Sequence, residues 1–148
     1  MFITRPARPE DARDIFEIIK PNIANGSVLP ITQAQIEESI NSFRVSTDKD
    51  KIVSTLRVKH YGKDLELGKF CTLEAYRGKG FAQRLATDLI TEAKANSSDS
   101  IFAVSTSDEL GIFFAKLGFK SIDREKLNQE WLKNYDLSRP SKAYIYYF

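Results

Sequence analysis

"LELGKFCTLEAYRGKGFAQRLATDLI", residues 65–90, changes from one periodicity to another within a few positions. Its first nine residues read as a strand. From Phe81 the apolar residues recur every four positions (Phe81, Leu85, Leu89, Ala93), a stripe that predicts a helix to about Ala95. Between strand and helix stand Arg77, Gly78, Lys79 and Gly80. A helix N-terminus leaves backbone N–H groups unpaired and carries partial positive charge, which a Ser, Thr, Asp or Asn cap normally satisfies. This sequence withholds such a cap and adds two cations. A strand running through glycines into a helix is a setting in which backbone N–H groups converge on a phosphate, and the glycines permit close approach. The spacing is that of neither a Walker loop nor a Gly-x-Gly-x-x-Gly fingerprint, since no third glycine follows at the required interval. A surface turn in which the glycines only reverse the chain remains open on these residues alone.

Upstream, "FRVST", "IVSTLRVKH" and "LELGKFCTL" read as three consecutive strands joined by turns at "DKDK" and at Tyr61-Gly62-Lys63-Asp64. Thr32 and Gln35 form a capping box for a helix expected to reach about Phe43, with Ile36 and Ile40 inward. "FITRPA" alternates like a short strand, and Pro9-Glu10-Asp11 opens a helix that Pro21 is expected to end. Downstream, "IFAVST" is nearly continuous in apolar residues, as suits a central parallel strand. "DELGIFFAKL" is a helix closing on Gly118, and "KAYIYYF" a terminal strand; the polar stretch after "GFKSID" reads as irregular. The order is β-α-α-β-β-β-α-β-α-β, an α/β chain with a mixed sheet.

At 148 residues the chain has the size of one globular domain. Twenty-two Lys+Arg against 20 Asp+Glu leave a net charge of only +2, with the basic residues dispersed. That argues against nucleic acid or a membrane as partner. With one cysteine, Cys71, and no apolar signal-like N-terminus, a cytoplasmic setting is the expectation, and Cys71 reads as a buried structural thiol. No cluster of His, Cys and carboxylates has metal-ligand spacing, so no metal is expected; His60, the one histidine, reads as an exposed strand residue.

Arg77-Gly78-Lys79-Gly80-Phe81-Ala82 resembles the Arg/Gln-x-x-Gly-x-Gly/Ala signature of the GNAT superfamily of acyl-CoA-dependent N-acetyltransferases, and "FFAKLGFK" is similar to the segment closing that fold's acyl-CoA half. The resemblance implies a single GNAT-like domain over residues 1–148, with a mostly antiparallel sheet, a central splayed parallel strand pair and about four helices. It implies acetyl-CoA as acyl donor, its pyrophosphate held by residues 77–82 and its pantetheine arm paired with the backbone of Cys71, Thr72 and Leu73. Within the superfamily, "LELGKFCTLEAYRGKG", "NGSVLPITQAQIEESI" and "LNQEWLKNYDLSRPSKAYIYYF" are similar to the acetyltransferase domain of N-acetylglutamate synthases, a likeness spanning roughly residues 20 to 148. It implies that Arg139 and Ser141 contact an amino acid's carboxylate, with Lys142 beside them and Leu29 and Ile31 of "VLPIT" lining the acceptor site. A guanidinium fork with a hydroxyl is a sound carboxylate clamp. Relatives place an arginine where Ile31 stands, so the acceptor expected here is glutamate-like or more apolar.

An amine attacks a thioester only as the free base, and α-amino groups have a pKa of about 8. A nearby base therefore helps, and Glu66, in the strand before the loop, is the candidate by resemblance. Phe114 stands where many superfamily members have a proton-donating tyrosine; Tyr135, Tyr144 and Tyr146 are the other donors available. The expected activity is acetyl transfer to the amine of a small acceptor, an amino acid, by a monomer or homodimer. The alternatives are an acyl-CoA-binding regulatory module without turnover, and a protein or peptide N-acetyltransferase.

Overall fold

The computed structural model describes residues 2–148. Seven strands form one mixed sheet in the order β1-β2-β3-β4-β5-β7-β6, with five α-helices. The strands are β1 (Phe2–Pro6), β2 (Phe43–Asp48), β3 (Lys51–Tyr61), β4 (Asp64–Thr72), β5 (Ser100–Ser105), β6 (Lys120–Ile122) and β7 (Lys142–Tyr147). The helices are α1 (Ala12–Ala24), α2 (Gln33–Glu38), α3 (Phe81–Ala95), α4 (Asp108–Lys116) and α5 (Gln129–Leu132). Two compact units make up the chain, residues 1–58 with 69–89, and residues 59–68 with 90–148.

The first unit holds the antiparallel pairs β1–β2 and β2–β3. Lys49 and Asp50, at φ 51° and 69°, turn the β2–β3 hairpin with the two left-handed residues that match strand twist. Its core packs Ile15, Ile18 and Ile19 of α1 and Ile36 of α2 with Phe43 and Val45 of β2. Arg5 clasps Asp11 with Nη1 to Oδ2 at 2.7 Å and Nη2 to Oδ1 at 3.2 Å. Thr32 and Gln35 make the predicted capping box in both directions, at 3.1 and 2.9 Å.

Two helix ends differ from expectation. α1 continues through Pro21 to Ala24; the missing proline N–H deprives only the carbonyl of Glu17, an exposed residue that water can serve. α2 stops at Glu38 rather than near Phe43, giving way to a 3-10 turn at Ile40–Ser42, because Phe43 is fully buried as the first residue of β2.

In the second unit β4 pairs parallel with β5 from Asp64↔Ser100 to Glu66↔Phe102, while β5 and β6 both pair antiparallel with β7. α4 ends as predicted on Gly118 at φ 100°, with the Phe119 N–H closing onto the Phe114 carbonyl at 3.0 Å. The stretch after Ile122, expected to be irregular, carries a 3-10 turn at Arg124–Lys126 and the short α5, and Lys120–Ile122 forms the unpredicted β6. Phe102, Leu127, Trp131, Ala143 and Ile145 make a core that gives this polar segment its structure.

Candidate active site

The glycine loop lies in the first unit. Arg77, Gly78, Lys79 and Gly80 are all exposed. Gly78 and Gly80 have φ of 74° and 89°, which an L side chain adopts only with strain, and a Cβ on either would meet open space. Conformation rather than crowding thus requires glycine here. The Gly80 carbonyl accepts the first intrahelical bond from the Arg84 N–H at 3.0 Å, so the cap position of α3 is held by a residue with no side chain. Phe81 is buried, stacked on Phe2 with centroids 4.2 Å apart and edge-on to Tyr76 at 5.8 Å. Only its backbone, with that of Ala82, is available to an anion. The Lys79 ammonium lies 5.6 Å from the Tyr76 ring centroid. Exposed cations, left-handed glycines and a 15-residue helix without a side-chain cap together fit a pyrophosphate.

The distal part of β4 also belongs to the first unit. Cys71 is 4% exposed, and burial pushes its thiol up to about 12. Ser54 Oγ donates to the Cys71 carbonyl at 3.2 Å and lies 3.1 Å from Thr72 Oγ1. The N–H of Leu73 is spent on the Val53 carbonyl at 2.9 Å, and its own carbonyl accepts from Tyr76 at 2.9 Å. Lys69 takes the left-handed φ of 50°, and its ammonium donates to the Leu29 carbonyl at 2.6 Å. Leu29 is half exposed, whereas Ile31 belongs to the core and lines a cavity of about 470 Å³ with Phe16, Ile23, Pro30 and Lys20.

The second unit links Glu66, Arg139 and Ser141 through two sets of hydrogen bonds joined by a ring stack, using residues the sequence reading did not assign to the site. Asn128 caps α5, its Oδ1 accepting from the N–H groups of Glu130 and Trp131 at 2.9 and 3.3 Å. Its Nδ2 donates to the Tyr61 carbonyl at 3.2 Å and to Asp64 Oδ2 at 2.8 Å, which fastens α5 to the β3–β4 turn. Trp131, 3% exposed, then donates its indole N–H to Glu66 Oε2 at 2.7 Å. The Trp131 ring stacks on Tyr135 at 4.5 Å and 23°. The Tyr135 hydroxyl lies 2.6 Å from Ser141 Oγ and accepts from Arg139 Nη1 at 3.5 Å. Arg124 donates to Ser141 Oγ and to the carbonyls of Arg139 and Leu137. Lys142 instead faces solvent, its ammonium 3.6 Å from Asp108. Phe114 is fully buried and has no proton to give.

Residues 27–136 match the acetyltransferase (GNAT) domain family. The chain belongs to that family. The acetyltransferase is 25% identical over 127 residues to an uncharacterized N-acetyltransferase of Chlorobaculum tepidum, covering 85% of this chain and 80% of that one. In fold it is similar to N-acetylglutamate synthase from Neisseria gonorrhoeae, solved with coenzyme A and N-acetyl-glutamate, at TM-score 0.91 and 21% identity. That likeness covers 99% of this chain but 35% of the synthase. It is also similar to a Mycobacterium tuberculosis protein solved with CoA, at TM-score 0.83 and 18% identity over 99% of both chains. The acetyltransferase thus has the GNAT fold foreseen from its loop, with five helices rather than about four, and acetyl-CoA as donor. Among the described residues no helix is long and apolar enough to cross a membrane, and no group of three or more His, Cys, Asp and Glu side chains could hold a metal ion.

Proposed function

We propose that this acetyltransferase acylates the α-amine of a small amino acid. The observation that carries this reading is the single connected group in which a carboxylate-binding pair, Arg139 and Ser141, is joined through Tyr135 and Trp131 to a carboxylate, Glu66. A guanidinium and a hydroxyl recognise the acceptor's carboxylate, and Glu66 serves its ammonium.

Acetyl-CoA, when bound, supplies an acetyl thioester open to attack by a free amine. The chain's own residues do the rest. Arg77, Lys79 and the backbone N–H groups of residues 78–82 hold the pyrophosphate, and the N-terminal end of α3 adds its partial positive charge. Arg139 and Ser141 orient the acceptor. Glu66 takes the proton of the α-ammonium, directly or through a water, since most of the amine is protonated at neutral pH. Tyr135, bonded to Ser141, is the nearest hydroxyl to the clamp able to pass on a proton. Ile31, standing where relatives place an arginine, leaves a second carboxylate without that partner, which favours an acceptor more apolar than glutamate.

The test is CoA release from acetyl-CoA against the standard amino acids singly, glutamate included, with Arg139→Ala in parallel. Turnover with one amino acid, lost in the variant, is the expected result. Silence across the panel with acetyl-CoA still bound would point to a peptide amine or to a regulatory module without turnover.

A further inference from the structure

Trp131 contacts both ends of the acceptor group. Its indole N–H meets Glu66 Oε2 at 2.7 Å, and its ring face covers Tyr135, which holds Ser141 at 2.6 Å. Three constraints immobilise the indole. Asn128 fixes the backbone of α5, Phe102 packs edge-on at 5.6 Å and 78°, and the side chain lies in the core with Leu127 and Ile145. Leaving a buried indole donor without a partner is unfavourable, so its N–H and the carboxylate hold each other in place. Tryptophan is an unusual choice for a half-polar segment. Phenylalanine or leucine would fill less of this core space, and neither carries a donor, so tryptophan alone among the apolar residues supplies both bulk and an N–H.

We infer that Trp131 is a positioning residue: a rigid strut that fixes the carboxylate of Glu66 at a set reach from the Tyr135–Ser141–Arg139 clamp, so that an acceptor seated by its carboxylate presents its amine to the base. The inference rests on the proposed function, and the experiment separates the two. Trp131→Phe keeps an aromatic ring for the stack on Tyr135 but deletes the N–H along with part of the indole, and the melting temperature tracks the lost volume. Steady-state kinetics should show kcat reduced tenfold or more, while KM for acetyl-CoA and for the acceptor stay within about twofold. A lost packing contact would instead lower the melting temperature with little change in kcat. Combined with Glu66→Gln, the substitution should add nothing beyond Glu66→Gln alone, since both act through one carboxylate.

A second readout needs no substrate and no fold-sensitive variant of Trp131. The sequence contains one tryptophan, so intrinsic fluorescence reports on this position alone. Replacing the charged carboxylate by an amide in Glu66→Gln should shift the emission maximum or change its intensity at an unchanged melting temperature. Wild-type kcat in Trp131→Phe, or wild-type emission in Glu66→Gln, would overturn the strut while leaving the proposed function standing if Glu66→Gln is itself inactive. Full activity in Glu66→Gln would remove the base, and the strut with it.

Discussion

One nitrogen of Arg124, Nη1, lies 2.6 Å from the carbonyl oxygen of Arg139 and 3.1 Å from Ser141 Oγ, while Nη2 donates to the Leu137 carbonyl at 3.0 Å. The proposed acceptor clamp is therefore built on another arginine's fork. Side chains that bind a carboxylate precisely need a backbone that does not move, and a loop of polar residues has little apolar surface to hold it.

Arg124→Ala should loosen that loop. Hydrogen bonds from a charged donor contribute about 1.5–3 kcal/mol, so KM for the acceptor should rise by about tenfold or more. KM for acetyl-CoA should not move. Varying each substrate in turn separates the two, and an equal rise in both would show that Arg124 supports the whole fold instead.

Gly111 of α4 has a different constraint. A Cβ there would stand 2.3 Å from the Tyr144 hydroxyl oxygen and 2.8 Å from the ring carbon bearing it. Alanine normally improves a helix by about 1 kcal/mol over glycine, but overpacking costs about 1–3 kcal/mol, and Tyr144 is 8% exposed with little room to withdraw. Gly111→Ala should lower the melting temperature by several degrees. Adding Tyr144→Phe should recover part of the loss. A stabilised single variant, read by thermal melting, would show that the tyrosine moves aside.

At the proposed cofactor loop, Gly80→Ala should strain a residue held at φ 89° by about 1–2 kcal/mol and weaken acetyl-CoA binding. Arg77→Glu should raise the dissociation constant for acetyl-CoA by at least tenfold at low salt. The difference between Arg77→Glu and wild type should shrink as ionic strength rises, because the charge is exposed. Calorimetric titration with CoA at two salt concentrations checks both.

Two titrations follow from the surroundings of Asp11 and Cys71. Burial raises the carboxyl of Asp11, but the Arg5 guanidinium and the Arg8 N–H outweigh it and leave the group below its ordinary value of 3.8. The ionised form is thus favoured in the folded state. Its contribution to stability is present above the unfolded value and lost as pH falls through the folded one, so Asp11→Asn should flatten stability against pH below about 4 in denaturant titrations. The Cys71 thiol, pushed up to about 12, should resist a thiol reagent at neutral pH in the native protein and react once the chain is unfolded.

Much of the fold was legible because its signals are local. The Thr32–Gln35 box, the terminal glycine after α4 and the stripe of α3 each depend on residues within a few positions of one another. The glycine loop belongs to the same class, since positive φ and a missing cap are properties of four consecutive residues. Pro21 was misread because proline disfavours a helix interior without forbidding it, and α1 runs only three residues beyond it, with the carbonyl it deprives on an exposed residue. α5 and β6 were missed because four and three residues carry almost no periodicity of their own.

What the sequence by itself determined is the glycine loop and, through it, the resemblance to the family, both carried by residue types at short spacing; Glu66, Arg139 and Ser141 became candidates through that resemblance. Only the tertiary structure decided how the last three are connected. Trp131 and Glu66 are 65 positions apart, Asn128 and Asp64 are 64 apart, and Arg124 and Ser141 are 17 apart. Such pairs leave no periodic trace, because a hydrogen bond across a fold depends on where backbone pairing brings two side chains and not on the residues that flank either one.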